Sequence, residues 1–205
     1  MAHEKEEAFL RVLRWMRENI DVVSSVYRTE ANAVAVDVAL NLDADGNPRR
    51  ISDDRPPDLD SWFLNSATGL VCCCYMDALG KVILRGKGGY RLNTFATAHM
   101  PDLVAECNAK GGTFSLETLY RLFRNGFVHQ FAASKMCWER KSRAKDYWFM
   151  SSDGKPGLNV DRLAAGSVTG IRRFESAFRS AVAGGETSFL QFFEWLDADQ
   201  SKHGS

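Results

Sequence analysis

Three side chains past the middle of this 205-residue chain have types and spacing suited to phosphodiester chemistry: Arg124, Asn125 and His129. Histidine, with an unperturbed pKa of about 6.5, accepts or donates a proton near neutrality. Cleaving RNA without a metal needs such a carrier, either for the 2′-hydroxyl or for the leaving 5′-oxygen. The pentacovalent phosphorus gains negative charge, and arginine sets a permanent, fork-shaped cation against it. Asn125 has the groups to orient His129 or to bind a phosphate oxygen. A plainer reading stands beside this one. A lone histidine near a helix end also serves as a surface or capping residue, and Arg124 has Glu117 or another acidic neighbour as an ion-pair partner.

The element that must position these groups is the run Ser115 to Phe131. At about 100° per residue, Leu116, Leu119, Tyr120, Phe123, Phe127 and Phe131 share one arc of roughly 120°. Glu117, Arg121, Asn125 and His129 climb the other side in steps of four, with Arg124 at its edge. Arg124 and His129 lie about 140° apart on an ideal helix, so one helix does not force them into one site.

The stretch Arg124-Asn125-Gly126-Phe127-Val128-His129 resembles the R-x(4–6)-H motif of HEPN domains, including the polar residue that often follows the arginine. Leu119 to Phe131 looks like the motif helix of bacterial members, and Cys72 to Gly80 looks like their long buried helix. By helix order the resemblance spans residues 60–183, with 31–58 as a departure from the family bundle. It implies a mainly α fold, a four-helix core that often dimerises and places the motifs of two chains at a shared cleft. It implies a metal-independent endoribonuclease of toxin–antitoxin or antiviral defence systems, with Arg124, Asn125 and His129 catalytic. Other members only bind RNA or proteins, so a non-catalytic RNA- or protein-binding module is the alternative. The partners so implied are RNA, a second copy of the chain, and a cognate antitoxin or defence-system protein. No cofactor is implied.

Local charge fits an RNA partner. From Thr113 to Asp146 seven basic side chains face three acidic ones. Arg121, Lys135, Arg140 and Lys141 are the expected RNA-binding residues. Trp138, Tyr147 and Trp148 either stack on unpaired bases or pack a short hairpin against the bundle.

The rest of the chain reads as a helical scaffold. Glu4 to Ile20 is an amphipathic helix, with Phe9, Leu10, Leu13, Trp15, Met16 and Ile20 as its apolar positions. Residues 31–42 alternate in a way that favours a short N-terminal strand over a helix. Asp43 to Asp60 is an exposed Pro/Asp-rich loop, with six aspartates against three arginines. Asp43-x-Asp45-x-Asn47 begins like a calcium loop, but Pro48 stands where that loop needs its glycine. Ser61 to Leu84, capped by Asp60 or Ser61, is apolar nearly all round and therefore central. Gly86 to Gly89 is a connection and lacks the phosphate-loop pattern. Asn93 to Glu106 is helical with a break at Met100-Pro101. Lys135 to Arg140 and Asp146 to Met150 form a hairpin, Ser151 to Gly157 is turn, and helices follow at Asp161 to Val182 and Thr187 to Asp197.

Composition sets the outer bounds. Hydrophobic residues make up 45% and charged residues 25%, with basic and acidic side chains equal at 26 each. That mix excludes a disordered tail or a rod and suits one domain over residues 1–205. No apolar run approaches the roughly 18 residues of a membrane span, and the charged N-terminus lacks a signal peptide's apolar region, so a cytoplasmic protein is expected. The five cysteines, three of them consecutive at 72–74, have neither a C-x-x-C pair nor nearby histidines. They read as reduced and mostly buried thiols, with at most one of the three turned outward, and no metal site is expected.

Overall fold

The computed structural model of the chain describes residues 2–31, 59–85, 87–121, 137–139, 145–151 and 154–186. Helices dominate these residues, and a small β element is appended. The expected strand at 31–42, the loop through residue 58 and the helix at 187–197 lie outside the described residues, Ala31 excepted.

Helix α1 spans Ala2–Ala31, continuing well past the expected end at Ile20. Phe9, Leu13, Met16, Ile20 and Ser24 recur every three or four residues and form its buried stripe. Trp15 does not belong to that stripe. It lies well round the helix from Leu13 and Ile20 and is 55% exposed. Helix α2, Leu59–Ile83, starts before the expected cap, so Asp60 and Ser61 fall inside its first turn and the loop ends sooner. Its Cys72, Cys73, Met76, Leu79 and Val82 are buried where it packs against α1 and the helices that follow. Cys74 alone of the cysteine run faces out.

Helices α3 (Arg91–His99) and α4 (Pro101–Lys110) flank the expected break at Met100. Pro101 opens α4, where its missing N–H costs nothing. The α2–α3 approach depends on Gly80, since a Cβ there would stand 1.8 Å from the Arg91 carbonyl oxygen. Gly111, at φ 64°, ends α4 in the left-handed region that glycine tolerates. Helix α5 begins at Leu116–Thr118 and widens to a π-helical turn over 119–121.

The β element is a three-stranded sheet in the order β1-β3-β2, with β1 at Cys137–Glu139, β2 at Trp148–Met150 and β3 at Pro156–Asn159. A small antiparallel hairpin is present as expected, but β2 and β3 form it, and β1 and β2 do not pair with each other. β3 lies between them, parallel to β1 and antiparallel to β2. The turn is shorter than Ser151 to Gly157: Ser151 and Lys155 close it through hydrogen bonds of 2.9–3.0 Å. Pro156 then takes the first strand position, which needs no donor. Gly157 opposes Phe149, whose ring occupies the space a Cβ would need. Helix α6, Val160–Ala183, is capped by Asn159, whose side-chain oxygen accepts from the Arg162 N–H. Its Leu163, Ile171, Phe174 and Phe178 join α1, α2 and α3 in one core.

Candidate functional site at the motif helix

Helix α5, which leads into the motif in sequence, is entered through a capped turn. The Ser115 hydroxyl accepts from the Thr118 N–H at 3.1 Å, which satisfies one of the free donors of the first turn. Leu119 is fully buried, and Leu116 and Tyr120 pack half-buried against the core. Glu117 and Arg121 are exposed, with the Arg121 guanidinium 3.4 Å from the Glu117 carboxylate. The apolar and polar lines expected from the spacing thus separate correctly in the described turn. Glu117, the acid considered as a partner for Arg124, has Arg121 beside it. So exposed a pair contributes little and leaves Arg121 available to an anion.

A depression of about 350 Å³ opens beside this turn, lined by Gly112, Thr113, Ser115, Glu117, Thr118 and Arg121. Gly112, at φ 57°, forms part of its wall. Of the candidate catalytic and basic RNA-binding residues, Arg121 alone lies among the described ones. Arg124, Asn125, His129, Lys135, Arg140 and Lys141 lie outside the described residues. Among the described residues, no three metal-ligating side chains converge, and no helix is long and apolar enough to cross a membrane.

Two anchored stretches precede the main helix α6 in the described residues, β1 and the entry to β2 at Lys145. β1 is held by its parallel pairing with β3. The entry to β2 is held by a latch that the sequence reading missed. The Glu106 carboxylate accepts from the backbone N–H groups of Tyr147 (2.7 Å) and Trp148 (2.8 Å). Lys110, one turn on, donates to the Trp148 carbonyl (2.6 Å) and to Asp146 (3.0 Å) and pairs with Glu106. Burial works against the Lys110 charge, yet these hydrogen bonds outweigh it and hold the ammonium above its ordinary pKa. The signal for the latch was an acid and a base four apart on one helix, a spacing common on any surface helix.

The same latch overturns base stacking by Tyr147 and Trp148. Both rings are buried, at 2% and 1% exposure. The Tyr147 ring lies 4.6 Å below the Arg162 guanidinium, and its hydroxyl fills the space left by Gly166. Burial pushes the Tyr147 hydroxyl above its ordinary pKa. Trp138 stands in β1, paired with Leu158.

Other titratable groups answer to packing. His99, half-buried with its ring 5.3 Å from those of Phe95 and Phe174, is held below the usual histidine pKa by burial and then by Arg173. Burial pushes the Cys72 thiol up to about 12. No family model, curated protein or solved structure matches the chain.

Proposed function

We propose that the chain is a metal-independent endoribonuclease of HEPN type, acting in a toxin–antitoxin or antiviral setting, with His129 as acid/base and Arg124 as phosphate clamp. The observation that supports this reading most is the separation of buried and exposed side chains along α5. Leu119 is buried while Glu117 and Arg121 are exposed, and the sequence continues their four-residue spacing at Asn125 and His129. The polar residues that the sequence sets at that spacing, Asn125 and His129, are of the types that phosphodiester cleavage needs.

In the proposed reaction an imidazole takes the proton of the RNA 2′-hydroxyl, and the 2′-oxygen attacks phosphorus. The P–O5′ bond breaks as the imidazolium so formed gives its proton to the 5′-oxygen, leaving a 2′,3′-cyclic phosphate and a 5′-hydroxyl. Arg124 offsets the charge gained on the phosphoryl oxygens, an effect whose loss costs on the order of 10²–10³ in rate. Asn125 orients His129, and Arg121 with the basic segment beyond it draws the RNA in.

The test is cleavage of single-stranded RNA in excess chelator by the wild type, His129→Ala and Arg124→Ala. The wild type is expected to leave cyclic-phosphate ends, His129→Ala to be silent, and Arg124→Ala to be slowed as above. Strict magnesium dependence, or full activity in His129→Ala, refutes the mechanism. RNA binding without cleavage by the wild type returns the non-catalytic alternative. If two chains share the site, mixing Arg124→Ala with His129→Ala chains restores part of the activity.

A further inference from the structure

Among the described residues, helix α1 carries an apolar line that the core does not use. Ala8, Trp15 and Val22 follow one another at seven-residue intervals, and all three are exposed, Trp15 by 55% and Val22 by 56%. An exposed tryptophan is costly to leave in water and is the residue type most enriched in binding hot spots. This one is held in place. Its ring leans on Tyr75 of α2 at 6.0 Å, and the Tyr75 hydroxyl accepts from the Asn19 side chain at 3.0 Å. The apolar surface continues onto α2 through Val71, Cys74 and Ala78, partly or fully exposed beside Tyr75.

Charges flank the same line. Arg11 and Glu18 are also seven residues apart, both exposed, next to Trp15 on the helix. Seven residues are about 10.5 Å of helix, close to two turns. The midpoint of Arg11 and Glu18 falls within one residue of Trp15, as does that of Ala8 and Val22. The surface is therefore complementary to its own reverse. Laid antiparallel across a two-fold axis at Trp15, it sets Trp15 on Trp15, Ala8 on Val22, and Arg11 on Glu18 twice over. A parallel arrangement would instead set Arg11 on Arg11 and Glu18 on Glu18.

We propose that α1 is a self-association surface, on which a second copy of this chain docks antiparallel around Trp15 with Arg11 and Glu18 paired across the interface. A two-fold contact is self-complementary by necessity, and this sequence meets that requirement in shape and in charge. The proposal involves no RNA chemistry and stands or falls independently of the ribonuclease reading.

Sedimentation equilibrium over a concentration series reads it directly. The wild type is expected to show a reversible monomer–dimer equilibrium. Trp15→Ala removes two central rings per dimer and is expected to raise the dissociation constant by roughly 30-fold or more. Arg11→Glu and Glu18→Arg each place like charges opposite one another and are expected to weaken self-association about tenfold. Mixing these two variants sets two acidic side chains of one copy opposite two basic side chains of the other, so the mixture is expected to regain wild-type affinity. All three substituted positions are exposed, and circular dichroism is expected to show unchanged helix content. A monomeric wild type overturns the proposal. So does a Trp15→Ala chain that dimerises like wild type, or a mixture no tighter than its components.

Discussion

Cutting Glu106 back to alanine tests the latch between α4 and the sheet. The carboxylate accepts two backbone N–H groups, at 2.7 and 2.8 Å, from residues that are themselves buried. The Glu106 side chain is only 13% exposed. A hydrogen bond to a charged acceptor contributes about 1.5–3 kcal/mol net, and a stranded buried donor costs about 1–3 kcal/mol. Water entering the vacated space recovers part of that loss, and Lys110 keeps Asp146 and the Trp148 carbonyl. The expected destabilisation is about 3 kcal/mol. For a chain of this size that lowers the melting temperature by roughly 6–12 °C. Urea and thermal unfolding, followed by near-ultraviolet circular dichroism, measure it. Glu106→Gln keeps one acceptor but turns an amide N–H₂ toward the second donor, so it should fall between alanine and wild type. Glu117→Ala, which removes an exposed pair with Arg121, should change stability by less than about 0.5 kcal/mol. If Glu106→Ala is as mild as Glu117→Ala, the latch carries no stability and the reasoning fails.

Three further outcomes follow from packing and charge. Gly80→Ala would drive its methyl into the Arg91 backbone and should cost about 2–3 kcal/mol in urea unfolding, whereas Gly88→Ala, with open space around it, should cost little. Burial alone would raise the Glu175 pKa, but hydrogen bonds and charge from Arg17 and then Arg179 hold it below its ordinary value of 4.5. A carboxyl with a depressed folded-state pKa stabilises fully above its unfolded value, and that contribution is lost as pH falls through the folded one. The stability gap between wild type and Glu175→Gln should therefore be constant near neutrality and close below about pH 4.5; a gap independent of pH refutes this. Among Cys72, Cys73, Cys74 and Cys107, a thiol reagent should label Cys74 rapidly in the native protein and the other three only on unfolding. Site-resolved mass spectrometry decides, and fast native labelling of Cys72 would contradict its burial.

The long helices were legible because an amphipathic helix writes its buried face along the chain at fixed intervals. Phe9, Leu13, Met16 and Ile20 announced α1, and Leu163, Ile171, Phe174 and Phe178 announced α6, whose ends moved by one residue. The break at Met100-Pro101 was equally local, since proline lacks an N–H wherever it is placed. The first turn of α5 was legible for the same reason. Helical phase alone puts Leu119 inside and Glu117 and Arg121 outside.

Contacts between distant residues decided the rest. Pro156-Gly157-Leu158-Asn159 has the composition of a turn, and it became the central strand because β1 and β2 pair with it from either side and Phe149 packs over Gly157. Nothing in the types of Trp15, Tyr147 and Trp148 tells which of them faces water. Glu106, some 40 residues upstream in the chain, captures the backbone of the last two, and Gly166 leaves room for Tyr147. Among the described residues, Trp15 rests on Tyr75 with its outer face exposed. Periodicity is a property of the chain and survives in the sequence. The fate of an aromatic ring depends on which remote groups offer it volume and hydrogen-bond partners, and those neighbours exist only once the helices have packed.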